Sequence, residues 1–307
     1  MTSRAPKPKT DPQEMLGEFI QMIDIDSLLS QLALPLLDVE EDEALDRAKQ
    51  LYYKACDAPT SQKQIFLAKK AIATSPLCAD AFVLLAQHEE VASEAQLALY
   101  RKATDAGKKA LGDSFEDLAG EFWGFIETRP YMRAKLGLAT CLWQRNERGE
   151  ALCHLREMLE LNPNDNQGVR SLLAAYLLEE RLHDELAALL KTYKNDCGAD
   201  FGFSRALLAF RLHGDSAKSR KALSAAAGQN KYVCWYLTGK KKLPKTLPAY
   251  YSSGDDSEAI LYAANFKKGW EETPGAIEWL RDFAHTDKTA SSPAKRPARA
   301  KMTLAKV

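Results

Sequence analysis

The residues best suited to chemistry lie in one short segment, where charged and aromatic side chains alternate. Glu127, Arg129, Tyr131 and Arg133 follow the aromatic pair at 122–123. Arginine presents a planar fork of N–H donors that matches carboxylate and phosphate groups, so the segment could hold an anionic or peptide ligand. The alternative is an ion pair and an aromatic plug that hold an irregular junction together. The sequence leaves both interpretations open.

Patterns of established catalytic sites are not found elsewhere in the sequence. It contains no phosphate-binding loop, no dinucleotide fingerprint, no H-E-x-x-H zinc pair and no G-x-S-x-G elbow. Of the histidines, only His154 has carboxylates at helical spacing on both sides, Glu150 and Glu157. A metal would need a further ligand, whereas ordinary ion pairs on a helix surface explain the spacing. We therefore expect no enzyme activity, no cofactor and no metal.

The composition favours helices and shows no overall charge bias. The chain has 307 residues, of which 46% are hydrophobic, with 42 basic and 42 acidic side chains. Glycine and proline are sparse, while alanine, leucine, glutamate and lysine are common, which favours helix. The balanced charge gives the whole chain no electrostatic preference for nucleic acid or membrane.

A two-helix repeat organises the middle of the chain. Within 132–165, small and apolar residues recur at helical spacing, and the unit closes with a proline at 163. Turns are expected at Asn146, Glu180 and Gly214, each 34 residues after the last, which is the tetratricopeptide period. The predicted fold is therefore all-α, a right-handed α-solenoid of antiparallel helix pairs of tetratricopeptide type.

The repeat pattern sets the expected domain boundaries. We predict a disordered N-terminal tail at 1–11, N-terminal capping helices at 12–43, a helical-repeat domain at 44–283 and a disordered basic tail at 284–307. The segment 12–43 could instead be an amphipathic hook for a partner or a membrane surface.

The first helix of each pair in such an array lines a concave groove, which would mix apolar area with arginines and suit an extended acidic or C-terminal peptide. The expected groove residues, together with those of the charged segment, are Trp123, Glu127, Arg129, Tyr131, Arg133, Thr140, Trp143, Arg170, Ala174, Ser204 and Arg211.

The cysteines and the distribution of apolar residues indicate the cellular compartment in which the protein is expected. The six cysteines form no C-x-x-C pair, and we interpret them as reduced, mostly buried thiols. The N-terminus lacks an apolar run after its basic residues, and no run of about 18 apolar residues occurs. We expect a cytoplasmic protein without a secretory signal or a membrane span.

Four stretches carry a resemblance to a known group: GEFWGFIETRPYMRAKLGLA (120–139), NPNDNQGVR (162–170), NKYVCWYL (230–237) and GDDSEAILYAANFKKGWEETPGAIEWL (254–280). They resemble uncharacterised bacterial and plant tetratricopeptide proteins that are distantly similar to the suppressor of tumorigenicity 7 family. The resemblance covers roughly residues 79–283. It implies a helical-repeat fold and no catalytic residues.

Three functional hypotheses follow from the sequence. The first is a non-enzymatic adaptor whose groove binds a peptide or protein segment. The second is non-specific contact with nucleic acid or a nucleoprotein through the basic residues of 288–306. The third is an enzyme with an unrecognised site near 127–133. No membrane partner is expected.

Overall fold

The computed structural model describes residues 38–286 and 302–303. The predicted tail 1–11, most of the predicted capping segment 12–43 and most of the predicted tail 284–307 lie outside the described residues. Residues 38–43 belong to the same helix as the residues that follow, so no break separates the end of the predicted capping segment from the start of the predicted repeat domain.

The described residues are all-α, apart from one antiparallel pair of two-residue strands. They form two compact units that meet in sequence between Asn164 and Asp165. The prediction of a single repeat domain over 44–283 stays a prediction.

The first unit contains seven helices in its described part, joined by short connections. They are α1 (Asp38–Cys56), α2 (Ser61–Thr74), α3 (Ala79–Ala86), α4 (Glu94–Leu111), α5 (Ser114–Asp117), α6 (Arg129–Gln144) and α7 (Arg148–Leu161). Helices α1, α3 and α6 pack in sequence, α2 packs against both α1 and α3, and α4 packs against both α3 and α6. Each helix pair thus buries its apolar side against the next pair.

The second unit combines two helix pairs with a later helix that packs against both of them. Its elements are α8 (Val169–Glu179), α9 (His183–Thr192), α10 (Ala199–His213), α11 (Ala217–Gln229), α12 (Tyr232–Leu237), β1 (Tyr250–Tyr251), α13 (Asp256–Glu271), α14 (Ala276–Thr286) and β2 (Met302–Thr303). Helix α13 contacts α8, α10 and α12. Strand β2 pairs with β1 in the register Tyr250 to Thr303.

The three expected turns lie between helices. Asn146 has a φ of 66° between α6 and α7, Arg181 has a φ of 56° between α8 and α9, and Gly214 has a φ of 60° after α10. Left-handed backbone is available to glycine and is tolerated by asparagine, but it is costly for arginine. The repeated turn therefore falls where the 34-residue spacing predicted it, with Arg181 taking the strained position one residue after Glu180.

The segment between α4 and α6 is irregular in the structure. It contains the short helix α5 and two 3-10 turns, Phe122–Gly124 and Ile126–Thr128. Pro130 then occupies the first turn of α6, where a missing N–H costs no hydrogen bond.

The start of α14 differs from the sequence prediction. Thr273 followed by Pro274 is a sequence pattern that predicts a capping residue and the first residue of a helix, but the helix begins at Ala276. The Thr273 hydroxyl instead lies 2.7 Å from the Gly269 carbonyl, and Arg211 Nε donates to it at 2.8 Å. Gly275, with a φ of 76°, makes the turn between Pro274 and the helix.

All six cysteines are free thiols, of which Cys78, Cys141 and Cys234 are buried. Cys56, Cys153 and Cys197 are exposed, so the prediction of mostly buried thiols holds for only half of them. None of the described helices is long and apolar enough to cross a lipid bilayer.

Candidate functional site

The first unit carries a surface where exposed apolar side chains lie beside arginines. We call it the junction surface and define it by Tyr53, Trp123, Ile126, Arg129 and Arg133. Tyr53 lies near the end of α1, within electrostatic range of Arg133. Trp123 and Ile126 lie in the two 3-10 turns, and the arginines lie in the first turns of α6. Arg129 and Arg133 are four residues apart, so they are neighbours on the surface of the helix.

Arg133 is held by a bidentate ion pair. Its Nε and Nη2 donate to the two carboxylate oxygens of Asp80 in α3, at 2.8 and 2.7 Å. Burial alone would lower the pKa of Arg133, but the hydrogen bonds and charge of Asp80 outweigh it and raise the pKa. Burial, followed by the charge of Asp80, raises the pKa of Tyr52. The pair fixes α6 to α3 and keeps the guanidinium charged.

Arg129 organises the two turns before α6. Its Nε donates to the Trp123 carbonyl at 3.2 Å, and its guanidinium lies 5.3 Å from the centroid of the Trp123 ring. The Thr128 hydroxyl donates to the Phe125 carbonyl at 2.8 Å and also contacts the Phe122 carbonyl. These side chains add hydrogen bonds to carbonyl groups of the irregular backbone, and the Phe122 carbonyl also accepts from the Phe125 N–H at 3.3 Å.

Tyr131 belongs to the core and not to the junction surface. Its ring makes edge-to-face contacts with Phe115 and Phe122, at 5.1 and 6.0 Å between centroids, and only 5% of the residue is exposed. Burial raises the pKa of its hydroxyl. These contacts form the aromatic plug of the alternative interpretation, beside the Arg133 ion pair. Glu127, by contrast, is exposed.

Large apolar side chains of the junction surface, and Phe125 next to it in sequence, face solvent. Ile126 is 68% exposed, Tyr53 is 60% exposed and Phe125 is 39% exposed. Isolated apolar residues on a surface are common, but several beside two arginines resemble the composition of a binding surface.

Thr140 and Trp143 continue along α6 but contribute little open surface. The Thr140 hydroxyl donates to the Leu136 carbonyl at 2.8 Å, within the helix. Trp143 is buried, and the Arg148 guanidinium lies 3.8 Å from its ring centroid.

In the second unit, Arg170 lies in a cluster of carboxylates at helix N-termini. Its Nε donates to Asp196 at 2.9 Å, and its Nη1 lies 3.3 Å from Asp165. The Asp165 carboxylate caps α8 by accepting from the Val169 and Arg170 backbone N–H groups at 2.7 and 2.9 Å. Carboxylates are favourable at helix N-termini, so the cluster stabilises the start of α8.

The acidic cluster extends to the starts of α10 and α13. Glu258 accepts from the Ala199 backbone N–H at 3.0 Å, from the Asn230 amide at 2.9 Å and from the Gly254 backbone N–H at 2.6 Å. Burial, with added repulsion from Glu258 and Asp196, raises the pKa of Asp200 to about 6.

Three further residues that were expected in the groove are instead buried, or hydrogen-bonded to backbone carbonyls, within the second unit. Ala174 and Ser204 have no exposed area. Arg211 Nη1 donates to the Leu178 carbonyl of α8 at 2.7 Å, and Nη2 donates to the Gly269 carbonyl of α13 at 2.8 Å. In this conformation Ala174 and Ser204 cannot contact a partner, because helix α13 packs against α8 and α10.

His154 lies in a mixed ionic network. Its Nδ1 is 3.1 Å from Lys135 Nζ and 3.8 Å from a Glu157 oxygen, and Nε2 is 3.6 Å from a Glu150 oxygen. Burial and the Lys135 charge lower the pKa of His154. No group of metal-ligating side chains in the described part of the chain could hold a metal ion.

The sequence analysis did not identify two residues of the candidate site, Asp80 and Tyr53. Asp80 is 53 residues from Arg133 along the chain, so no local pattern could link them. Tyr53 could have been found, because Leu51, Tyr52 and Tyr53 are consecutive and cannot all face the core from one helix.

Comparisons of the chain with protein-family models, with curated proteins and with solved structures find no match.

Proposed function

We propose that this chain is a non-enzymatic scaffold whose first unit binds an extended peptide at the junction surface. The observation that carries the proposal is the exposure of Ile126, Tyr53 and Phe125 beside Arg129 and Arg133. Interfaces are enriched in aromatic residues and arginine, because these side chains combine large contact area with directional hydrogen bonds.

The scaffold belongs, in this proposal, to the right-handed α-solenoids of tetratricopeptide type. The turns at Asn146, Arg181 and Gly214 support this, as does the ordered packing of α1, α3 and α6. The resemblance of 79–283 to bacterial and plant tetratricopeptide proteins supports it as well.

The ligand chemistry follows from the donors that remain at the arginines. The bonds to Asp80 use Nε and Nη2 of Arg133, and the bond to Trp123 uses Nε of Arg129. The remaining guanidinium nitrogens can donate to a carboxylate of a peptide. A peptide that places an acidic side chain or C-terminus beside one or two apolar residues fits this arrangement.

In the second unit, burial of Ala174 and Ser204 supports the first unit as the binding unit. Helix α13 contributes Trp270 to the core of the second unit. Trp270 is fully buried, and its indole N–H donates to the Tyr262 hydroxyl at 2.8 Å.

Selection from a displayed library of random peptides on the full-length chain tests the proposal. Selected peptides should share an acidic residue next to apolar ones. Their affinity, measured by fluorescence anisotropy, should fall about tenfold in Ile126→Ser and in Arg129→Ala, because each change removes one anchor of the site.

Val91→Ser is the matched control, since Val91 is 67% exposed and Ile126 is 68% exposed in the same unit. It should leave affinity unchanged. Selection of no common motif, or equal loss in Val91→Ser and Ile126→Ser, would show that the junction surface is not a peptide site.

A further inference from the structure

A second surface, in the second unit, combines lysines with aromatic rings. Tyr232 and Trp235 lie on α12, with Lys231 immediately before the helix and Lys240 and Lys241 in the loop after it. We call these five residues the lysine–aromatic patch. The sequence between Asn230 and Gly254 contains five lysines and no acidic residue, so this stretch is locally basic in a chain whose total charge is balanced.

The lysines surround the two rings. The ammonium nitrogens of Lys231, Lys240 and Lys241 lie 5.9, 5.2 and 5.5 Å from the Trp235 ring centroid. Lys231 and Lys241 also lie 5.5 and 5.6 Å from the Tyr232 ring centroid. The two rings meet edge to face at 5.0 Å, and both are partly exposed.

This arrangement brings like charges together without enough carboxylates to neutralise them. Lys241 pairs with Asp256 at 2.7 Å, and the Tyr236 hydroxyl donates to the same carboxylate at 3.0 Å. Among the described residues, Lys231 and Lys240 contact no carboxylate. The ring faces attract these cations, but a polyanion would relieve the repulsion between them more fully.

The rings decide which polyanion fits. Unpaired nucleobases stack on tryptophan and tyrosine regardless of sequence, and lysines nearby neutralise the phosphates. Bases inside a duplex are already stacked on each other and cannot reach Trp235. Leu243 and Tyr250, in the loop and strand that follow in sequence, are also exposed.

We propose that the lysine–aromatic patch binds single-stranded nucleic acid. Bases stack on Trp235 and Tyr232, and Lys231, Lys240 and Lys241 hold the phosphates. This surface is separate in sequence from the basic tail at 288–306, and the proposal does not depend on peptide binding by the first unit.

Fluorescence anisotropy with the full-length chain tests the proposal. The probes are labelled oligo-dT and oligo-U of about 12 nucleotides, within the range that single-strand binding sites cover, and a DNA duplex of the same length. We expect both single strands to bind at least about tenfold more tightly than the duplex. The comparison of oligo-dT with oligo-U shows whether the sugar contributes.

Two variants separate stacking from charge. Trp235→Leu should weaken binding about tenfold at low and high salt alike, because stacking does not depend on counterion release. Lys231→Gln with Lys240→Gln should weaken binding mainly at low salt and reduce its salt dependence. Lys191→Gln with Lys194→Gln removes the same charge from exposed positions in the second unit and should have a much smaller effect.

A chain with Lys288, Lys295, Arg296, Arg299, Lys301 and Lys306 changed to glutamine tests the tail separately and should keep the preference for single strands. Circular dichroism shows whether each variant is folded, and quenching of tryptophan fluorescence by the oligonucleotide in wild type but not in Trp235→Leu gives a second measure of stacking. The proposal is overturned if folded Trp235→Leu binds like wild type, if the duplex binds as tightly, or if only the tail variant loses binding.

Discussion

At the residue scale, Asp200 shows how burial can make a carboxylate unfavourable at neutral pH. The pKa of Asp200 is about 6, above its ordinary value of 3.8, because burial and two neighbouring carboxylates disfavour its charge. The folded state therefore binds more protons than the unfolded state between these two values. Stability from this group is fully present at low pH and is lost as the pH rises through about 6.

We predict that Asp200→Asn stabilises the chain at neutral pH. The gain in the free energy of unfolding should be about 1 to 2 kcal/mol, after allowance for solvent screening of a partly exposed side chain. It should shrink as the pH falls below about 6, since wild-type Asp200 is then protonated too. Urea unfolding at several pH values measures both effects.

Asp184→Asn is the control, because Asp184 is exposed near the start of α9. It should not reproduce the gain. A loss of stability in Asp200→Asn at neutral pH would mean that the carboxylate is needed by the cluster in its charged form.

The predictability of the candidate site also differs from residue to residue. Trp123, Arg129 and Arg133 could be singled out from sequence, because charged and aromatic residues cluster there within twelve positions. Their partners could not. Asp80 reaches Arg133 through the packing of α3 on α6, and the carbonyl groups that bind Arg211 belong to α8 and α13.

At the element scale, a glycine in α6 allows this helix to approach α4 closely. A Cβ atom built on Gly137 of α6 would overlap the ring of Tyr100, which lies on α4. A Cβ atom on Gly149 of α7 would meet nothing within 4 Å. Both glycines are helical and lie in the first unit, so they separate the effect of packing from that of helix propensity.

We predict opposite effects of alanine at these two positions. Gly137→Ala should lower the free energy of unfolding by about 1 to 3 kcal/mol, because the Tyr100 ring must move away in a close-packed core. Gly149→Ala should raise it by up to about 1 kcal/mol, since alanine loses less backbone entropy in a helix. Chemical denaturation of the two variants in parallel gives the comparison; similar changes in both would show that α4 and α6 have room to adjust.

Element boundaries could be predicted where local chemistry decides them. Pro130 lies in the first turn of α6, a position that its fixed φ favours. The turns at Asn146 and Gly214 fall at the 34-residue spacing. Thr273 failed as a helix start because its hydroxyl bonds to Gly269 and Arg211, a tertiary contact that overrides the local capping pattern. The same kind of contact explains why α13 could be predicted as a helix but not its packing on α8 and α10.

At the scale of the whole molecule, the all-helical fold class could be predicted from the sequence, but the division into two units could not. The repeat period continues from 132 to 214, across the boundary between Asn164 and Asp165. A periodic pattern reports which faces are apolar, whereas a boundary depends on where long-range contacts are few. Each unit has its own core, which includes Phe82 and Leu142 in the first and Phe203 and Trp270 in the second.

Because each unit has its own buried core, we predict that 165–307 folds when expressed alone and that its stability depends on its first residue. Asp165 is 5% exposed and caps α8 through the Val169 and Arg170 backbone N–H groups. A fragment that begins at Val169 lacks this cap and should be less stable by about 1 to 2 kcal/mol. Asp165→Ala within the longer fragment should reproduce most of that loss, because it removes the same carboxylate while keeping the chain length. Urea unfolding of the three fragments decides the matter: equal midpoints would show that the cap contributes nothing, and an unfolded 165–307 would show that the second unit needs the first.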